Sequence, residues 1–409
     1  MIPKKKNPVL RTRLPTLPPA ARSRVALGLT AAAALGRFEL QQCRDCGAVQ
    51  YPPRESCVQC LSIRLMWTQQ QGQGELLAST VLHHSNDLFF RERLPWRLGL
   101  VRLECGPTVV AHLHEAVPAA PTPVHVAARL DRAGQAVLVA LPHKEMHNMA
   151  DDRQLREFAC DPKLRKVLIT DGKTGVGQAL AKALAAAGAE LIWVGYAEPW
   201  KHFAGFDELK TMPQVTLVPL DLTDSKNVRE LAAEIGGKVD ILVNNAEYHR
   251  PFGIGNRHGV ETARAEMDVN YFGLLRLAQE FGPAMRSRGA DGLASAVAWV
   301  NLLSIYALAN FPPHGTFSAS KAAAQSLAQC LRAEMRPAGV RVVNVFPGPI
   351  DDEWNQLLLP PKVAPTALAV AIVKALREGL EDVYPGDVAQ EWLERWRDNP
   401  KALEKELSS

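Results

Sequence analysis

A chain of 409 residues is long enough for two or three domains and a substantial core. Apolar residues make up 47% of it and charged residues 22%, the balance of an ordinary folded protein. The net charge of +4 is small, and no apolar run reaches the ~18–20 residues that a membrane span needs, so a spanning protein is excluded.

The charge is unevenly placed. Lys4, Lys5, Lys6, Arg11, Arg13, Arg22 and Arg24 fall in the first 24 residues, which hold no acid. With five prolines in the first 20 residues, this reads as an irregular solvated tail; contact with an acidic partner is the alternative. Val25 to Gly36 is apolar and follows basic residues, as in a signal peptide. The basic segment is long and proline-rich, however, and Thr30 interrupts the run, so an amphipathic or docking helix is expected instead. Residues 1–36 are thus a basic tail and a helix. Seven cysteines, four of them in two CxxC pairs, argue for a metal site in a reducing compartment, and hence for the cytoplasm.

Residues 37–66 carry those pairs, Cys43 with Cys46 and Cys57 with Cys60, ten residues apart. Each pair wraps two thiolates around one ion, and together they complete a tetrahedron, so a structural zinc with no open position is expected. Cys105, Cys160 and Cys330 are isolated and read as small buried residues. Residues 67–145 then give short strands, GELLASTVLHH, LGLVRLECG, TVVAHLHEA, VHVAARLD and QAVLVALP, separated by Gly, Pro and Asp. Even spacing of short strands suggests a small barrel, with an OB-fold leading. The strands carry few aromatics, and Phe89, Phe90 and Trp96 fall in one predicted loop, so nucleic acid is not an expected partner. The run GRFELQQC, the pattern CRDCGxxQYPPRxxCxxC and the GExxxSTV opening strand resemble a bacterial and archaeal family first catalogued as a domain of unknown function of the 35 type. The resemblance implies a zinc ribbon and OB-fold that associate with thiolases or other acyl-CoA enzymes and bind acyl-CoA.

Residues 146–164 are polar and read as a linker. From 165 to 390 strands and helices alternate, KVLIT, AELIWVG, VTLVPLDLTD, DILVNNAE, AWVNLLS and VRVVNVFPGPI being the strands. Such alternation predicts an α/β fold with a doubly wound, Rossmann-like parallel sheet. Residues 391–409 read as a C-terminal helix and tail.

Ser304 ends one of these strands; Phe317 follows thirteen residues later and Lys321 four beyond it. Positions four apart share a helix face, so 317 and 321 point into one space. The layout resembles the active site of the short-chain dehydrogenase/reductase family, in which a Ser and a Tyr-x-x-x-Lys pair face a nicotinamide cofactor. The resemblance implies that Ser304, Lys321 and Asn270 hold the family's catalytic positions, and that Phe317 stands where the acid tyrosine should be. It further implies a cofactor loop of Gly172, Lys173, Gly175 and Gly177, with Asp221 beside the adenine and Asn244 in the turn after the fourth strand. Five of the pattern's positions are lost. Asp171 and Glu247 replace two glycines, Gly195 and Tyr196 offer no ribose acid, Asp352 replaces an amide-binding threonine, and Phe317 has no proton to give. A like-charge pair at ~4 Å and an effective dielectric of ~20 costs about 4 kcal/mol, so Asp171 weighs against a phosphate unless Gly172 or Lys173 compensates. Tyr306 and Tyr248 are alternative acids, though neither has a lysine at i+4. Ser304 and Asn270 can equally be plain hydrogen-bonding groups and Lys321 a plain helix residue.

Three readings follow. The first is an accessory subunit of a thiolase-type acyl-CoA complex with an impaired dehydrogenase-like domain. The second is an active NAD(P)-dependent 3-hydroxyacyl-CoA dehydrogenase that feeds the thiolase. The third keeps the pocket for coenzyme A, held by Lys173 and helix amides. From the family resemblance, pairing through long helices beginning near Glu266 and Ser318 is expected, as a homo- or hetero-oligomer.

Overall fold

The computed structural model describes residues 15–143, 148–256, 258–290 and 292–408. Lys4, Lys5, Lys6, Arg11 and Arg13, and the start of the expected linker, lie outside the described residues. The described residues divide into two compact units: Thr16–Asp161 with Leu376–Glu381, and Pro162–Ala375 with the segment from Asp382 onward.

In the first unit, helix α1 (Leu27–Ala34) buries Leu29, Ala32 and Ala33. Leu29 and Ala33 join Leu40, Leu76, Val101, Leu113 and Val126 in one core, so the helix belongs to its own domain and is not a free docking helix. The Thr30 hydroxyl that interrupts the apolar run accepts the Ala136 backbone N–H at 3.2 Å. Strands β1 (Glu39–Cys43), β2 (Val49–Gln50) and β3 (Leu65–Gln69) form an antiparallel ribbon in the order β2-β1-β3. Next come β4 (Gln73–Leu82), the short helix α2 (Leu88–Arg91), β5 (Trp96–Leu103), β6 (Thr108–Leu113), β7 (Thr122–Leu130) and β8 (Ala136–Pro142). The strands close into a barrel in the order β4-β5-β6-β8-β7, which leaves no free sheet edge.

Two expectations for this unit change. Phe89 and Trp96 are buried rather than displayed in a loop: Asp87 caps α2 by accepting the Phe89 N–H at 2.9 Å, and the Trp96 indole donates to His112 Nδ1 at 2.8 Å. Aromatics in that position stabilise the core and offer no base a stacking surface. The described part of the expected linker is not a spacer either. Met149, Leu155 and Phe158 pack on Phe89, Trp96 and Val139. Asp152 holds the segment by accepting the N–H groups of Glu115, Gln154 and Leu155 at 2.6–2.8 Å.

The second unit alternates β9 (Lys166–Ile169), α3 (Gly175–Ala186), β10 (Leu191–Tyr196), α4 (Phe206–Thr211), β11 (Val215–Pro219), α5 (Ser225–Ile235), β12 (Ile241–Asn244), α6 (Glu261–Met267), α7 (Leu274–Ser287), β13 (Ala298–Leu302), α8 (Gly315–Met335), β14 (Arg341–Val345), α9 (Pro365–Glu378) and β15 (Asp382–Val383). The strands make one parallel sheet in the order β11-β10-β9-β12-β13-β14-β15, which reverses direction between β9 and β12. Strands β12, β13 and β14 are buried along their whole length, as the central strands of a parallel sheet covered on both faces, with the buried Asn301 amide donating to Asn344 Oδ1 at 3.0 Å. Trp299, Phe281, Leu277 and Ala328 pack the helices onto the sheet, each large apolar side chain contributing roughly 1.5–3 kcal/mol. Helix α10 (Asp387–Asp398) runs across the division expected at 390/391 and buries Ala389 and Leu393 against Tyr306 and Phe317; α11 (Pro400–Leu407) follows.

Candidate functional site

The site lies at the carboxyl ends of β9, β12, β13 and β14, at the reversal of strand order where open α/β sheets place their ligands. Thr170 closes β9 and stitches it to β12. Its Oγ1 accepts the N–H groups of Asn245 and Ala246 at 3.0 Å and donates to Asn244 Oδ1 at 3.3 Å. Asn245 returns two bonds to the Asp171 backbone. Asn244 is therefore buried in the sheet's own network.

The loop to α3 keeps the backbone form of a phosphate cradle. Thr174 accepts the Gly177 N–H at 3.1 Å and caps the helix. A Cβ at Gly177 would lie 1.8 Å from the Asp171 carbonyl oxygen, and one at Gly172 would lie 2.2 Å from Val194 Cγ1, so neither position admits a side chain. Asp171 turns its carboxylate inward to the Lys173 N–H at 2.8 Å, and burial pushes its pKa up. The Lys173 charge offsets it only in part, because the ammonium itself pairs at 2.7 Å with Glu198, a residue with φ of 56° just beyond β10. The expected use of Lys173 for the ADP end of coenzyme A thus meets an ammonium already engaged. Asp221 accepts the Thr223 N–H and hydroxyl at 2.9 and 2.7 Å, a turn of its own making.

The four positions that the resemblance marks as catalytic lie close together. Asn270 sits in a π-helical turn (Asp268–Gly273), an irregularity that often marks functional sites. Its amide bonds the Tyr248 backbone on both sides at 3.0 Å and donates to Ser320 Oγ at 2.8 Å, a wholly structural use. Ser304 is buried and caps the turn Ile305–Ala307 by accepting the Tyr306 N–H at 3.2 Å. Lys321 is 2% exposed. Its ammonium donates to the Leu302 carbonyl at 3.0 Å and pairs with Glu247 at 2.8 Å. Phe317, expected from the resemblance at the tyrosine's place, lays its ring flat on His249 with 3.8 Å between centroids.

His249 and His314 were not singled out in the sequence, and their 65-residue separation gives no local signal. Their rings meet at 2.8 Å between His249 Nε2 and His314 Nδ1. Burial pushes His249 down to about 2 and His314 to about 4, so both are neutral near pH 7. Tyr306 is a poor substitute acid: burial, helped by the charge of Asp352, raises its pKa far above that of the ordinary phenol. Tyr248 lies under the Arg250 guanidinium, which is held between its ring and that of Trp354 at 4.3 and 3.9 Å. Asp352, at the position of the lost threonine, accepts the N–H groups of Trp354 and Asn355 at 3.0 and 3.1 Å. Burial and the charge of Glu247 raise it to about 6. Between Glu247, His249, Ser304, Phe317 and Ile350 there remains a cavity of about 10 Å³, room for one water at most.

Two cofactor fits differ. The sulfurs of Cys43, Cys46, Cys57 and Cys60 all lie within 4.8 Å of one another, with Cys43–Cys60 at 3.6 Å and Cys46–Cys57 at 3.5 Å. A tetrahedral zinc with ~2.3 Å bonds requires edges of about 3.8 Å, so the set fits the ion. The Cys46 backbone N–H pulls the Cys43 thiol down to about 7, toward the thiolate that a metal needs. For a nicotinamide dinucleotide, the glycine loop fits at the phosphate end and the Lys321 end does not, because Glu247 and Phe317 fill it.

Comparisons with known proteins agree with this architecture. The model for short chain dehydrogenases matches residues 165–360, that for the ChsH2 C-terminal OB-fold domain matches 67–135, and that for the ChsH2 rubredoxin-like zinc ribbon matches 30–63. Mouse dehydrogenase/reductase SDR family member 7B is 34% identical over 190 residues, 44% of this chain and 56% of that protein. A fatty acyl-CoA reductase of Acinetobacter baylyi is 29% identical over 220 residues, 52% and 68% of the two chains. The chain therefore spans little more than half the length of the mouse relative. The crystal structure of a short chain dehydrogenase from Burkholderia cenocepacia in complex with NADP is 34% identical, with a TM-score of 0.55, and covers 61% of this chain and 99% of its own. No helix among the described residues is long and apolar enough to cross a membrane.

Proposed function

Because this chain belongs to the short-chain dehydrogenase family through residues 165–360, joined to a ChsH2-type zinc ribbon and OB-fold, we propose that it is an accessory subunit of a thiolase-type acyl-CoA complex. The ribbon and barrel dock the acyl-CoA enzyme, and the dehydrogenase domain keeps its architecture without its hydride chemistry.

One observation supports the second half: Phe317, which the resemblance aligns with the acid tyrosine, is stacked on a neutral histidine. General acid–base help is worth about 10²–10⁴ in rate, and a hydrocarbon ring supplies none. The docking half is supported by the fusion of domains and by the ribbon's thiolate set, whose four sulfurs leave a zinc ion no open position for chemistry. Oligomerisation through α6, α7 and α8 is part of this reading.

The test is twofold. The full chain, tagged and expressed at native level, should co-purify with a thiolase-type enzyme, and the pair should separate when Cys57→Ser removes the metal. The purified chain should give no steady reduction of NAD or NADP with 3-hydroxyacyl-CoA substrates. Turnover abolished by Lys321→Ala would establish the dehydrogenase instead.

A further inference from the structure

Lys321 carries a fully buried ammonium, and such a group needs a counter-charge. The carboxylate that supplies it is not part of the inherited pattern. Glu247 stands in the turn after β12, at the position where the family's Asn-Asn-Ala-Gly pattern has glycine. From there it reaches α8 and pairs with the Lys321 nitrogen at 2.8 Å while itself only 13% exposed.

We propose that Glu247 is a tethered ligand: this chain's own carboxylate takes the place of a pyridine dinucleotide at Lys321 and keeps the dinucleotide out. The inference rests on the reading of the domain as lacking hydride chemistry and names the residue that closes it.

Three observations support it. The space left beside Glu247, Ser304 and Phe317 is about 10 Å³, so nothing larger than a water enters while the carboxylate is in place. A ligand that claims Lys321 must strip Glu247 and leave a nearly buried carboxylate unpaired. That carboxylate acts electrostatically on both Asp171 and Asp352, so a stripped Glu247 would face two further acids. An incoming pyrophosphate would add to the same negative field. The loop before α3, by contrast, keeps its Thr174 cap on the Gly177 N–H and its close packing at Gly172 and Gly177, so Glu247 acts at the Lys321 end of the site.

The experiment uses the full-length, zinc-loaded chain. NADPH fluorescence titration and calorimetry with NAD⁺ are run on the wild type, E247G, E247Q and the double variant E247G/K321M, with melting temperature as the check on folding. A charged hydrogen bond is worth about 1.5–3 kcal/mol, so E247G should bind dinucleotide about 10–100-fold more tightly than wild type. E247Q keeps the length and loses the charge, and should show a smaller gain in the same direction. The E247G/K321M variant should lose the gain, which a mere loosening of the turn would not. Micromolar binding by the wild type, or no gain in E247Q and E247G with their melting intact, overturns the proposal. Steady dinucleotide turnover by the wild type would sink the accessory reading itself; silence without turnover in every variant sinks the tethered ligand alone.

Discussion

Replacing Lys321 by methionine should destabilise the dehydrogenase domain sharply, and its partner variant should undo most of the loss. The ammonium is 2% exposed and makes two short polar contacts, to Leu302 O at 3.0 Å and Glu247 at 2.8 Å. Methionine removes both and strands a carboxylate that is 13% exposed. Breaking a buried pair by removing one member costs about 3–5 kcal/mol, because the remaining charge is uncompensated. In a domain of this size 1 kcal/mol shifts the melting point by roughly 2–4 °C, so a fall of roughly 6–20 °C is expected. Replacing both partners by apolar residues is often neutral, so E247L/K321M should recover most of that fall. Differential scanning calorimetry of the full chain in the presence of zinc measures it. A loss under about 1 kcal/mol for K321M, or a double variant no better than the single, would refute a buried pair as the organising contact of the site.

Other expectations concern the same residues. Phe317→Tyr alone restores the phenol but leaves Lys321 bound to Glu247, so it should give no dinucleotide-dependent turnover in a standard reductase assay. Zinc should be present at one ion per chain, and Cys57→Ser should abolish it and unfold the ribbon, as metal analysis and circular dichroism would report. The neutral His249–His314 pair has pKa values below the ordinary 6.5, so its stability contribution is full above that pH and is lost as the pH falls toward about 4 and below. H314Q should flatten this acid limb in urea titrations. Asp352 works in the opposite sense. Its folded pKa of about 6 exceeds the ordinary carboxyl value of 3.8, so its contribution is present below about pH 4 and lost as the pH rises through about 6. D352N, which keeps the capping oxygen, should raise stability above pH 6 relative to wild type.

The sequence by itself determined the architecture. Two CxxC pairs, five evenly spaced short strands, and an alternation of apolar runs with helical stretches are local patterns, and local geometry translates them directly into a ribbon, a barrel and a parallel sheet. It also determined that Phe317 has no proton to give, which is a property of one side chain. What it could not show is where charges and rings meet. Glu247 and Lys321 are 74 residues apart, His249 and His314 are 65 apart, and Lys173 and Glu198 join two different crossover units. Phe89 and Trp96 read as a loop because their burial depends on Met149 and Phe158, which come from a segment whose polarity reads as a linker. Those pairings arise only when the sheet brings its strand ends to one edge and the barrel closes on itself. The identity of each group is therefore a fact of sequence, whereas its ionisation and its availability to a ligand are facts of the fold, set by burial and by neighbours distant along the chain.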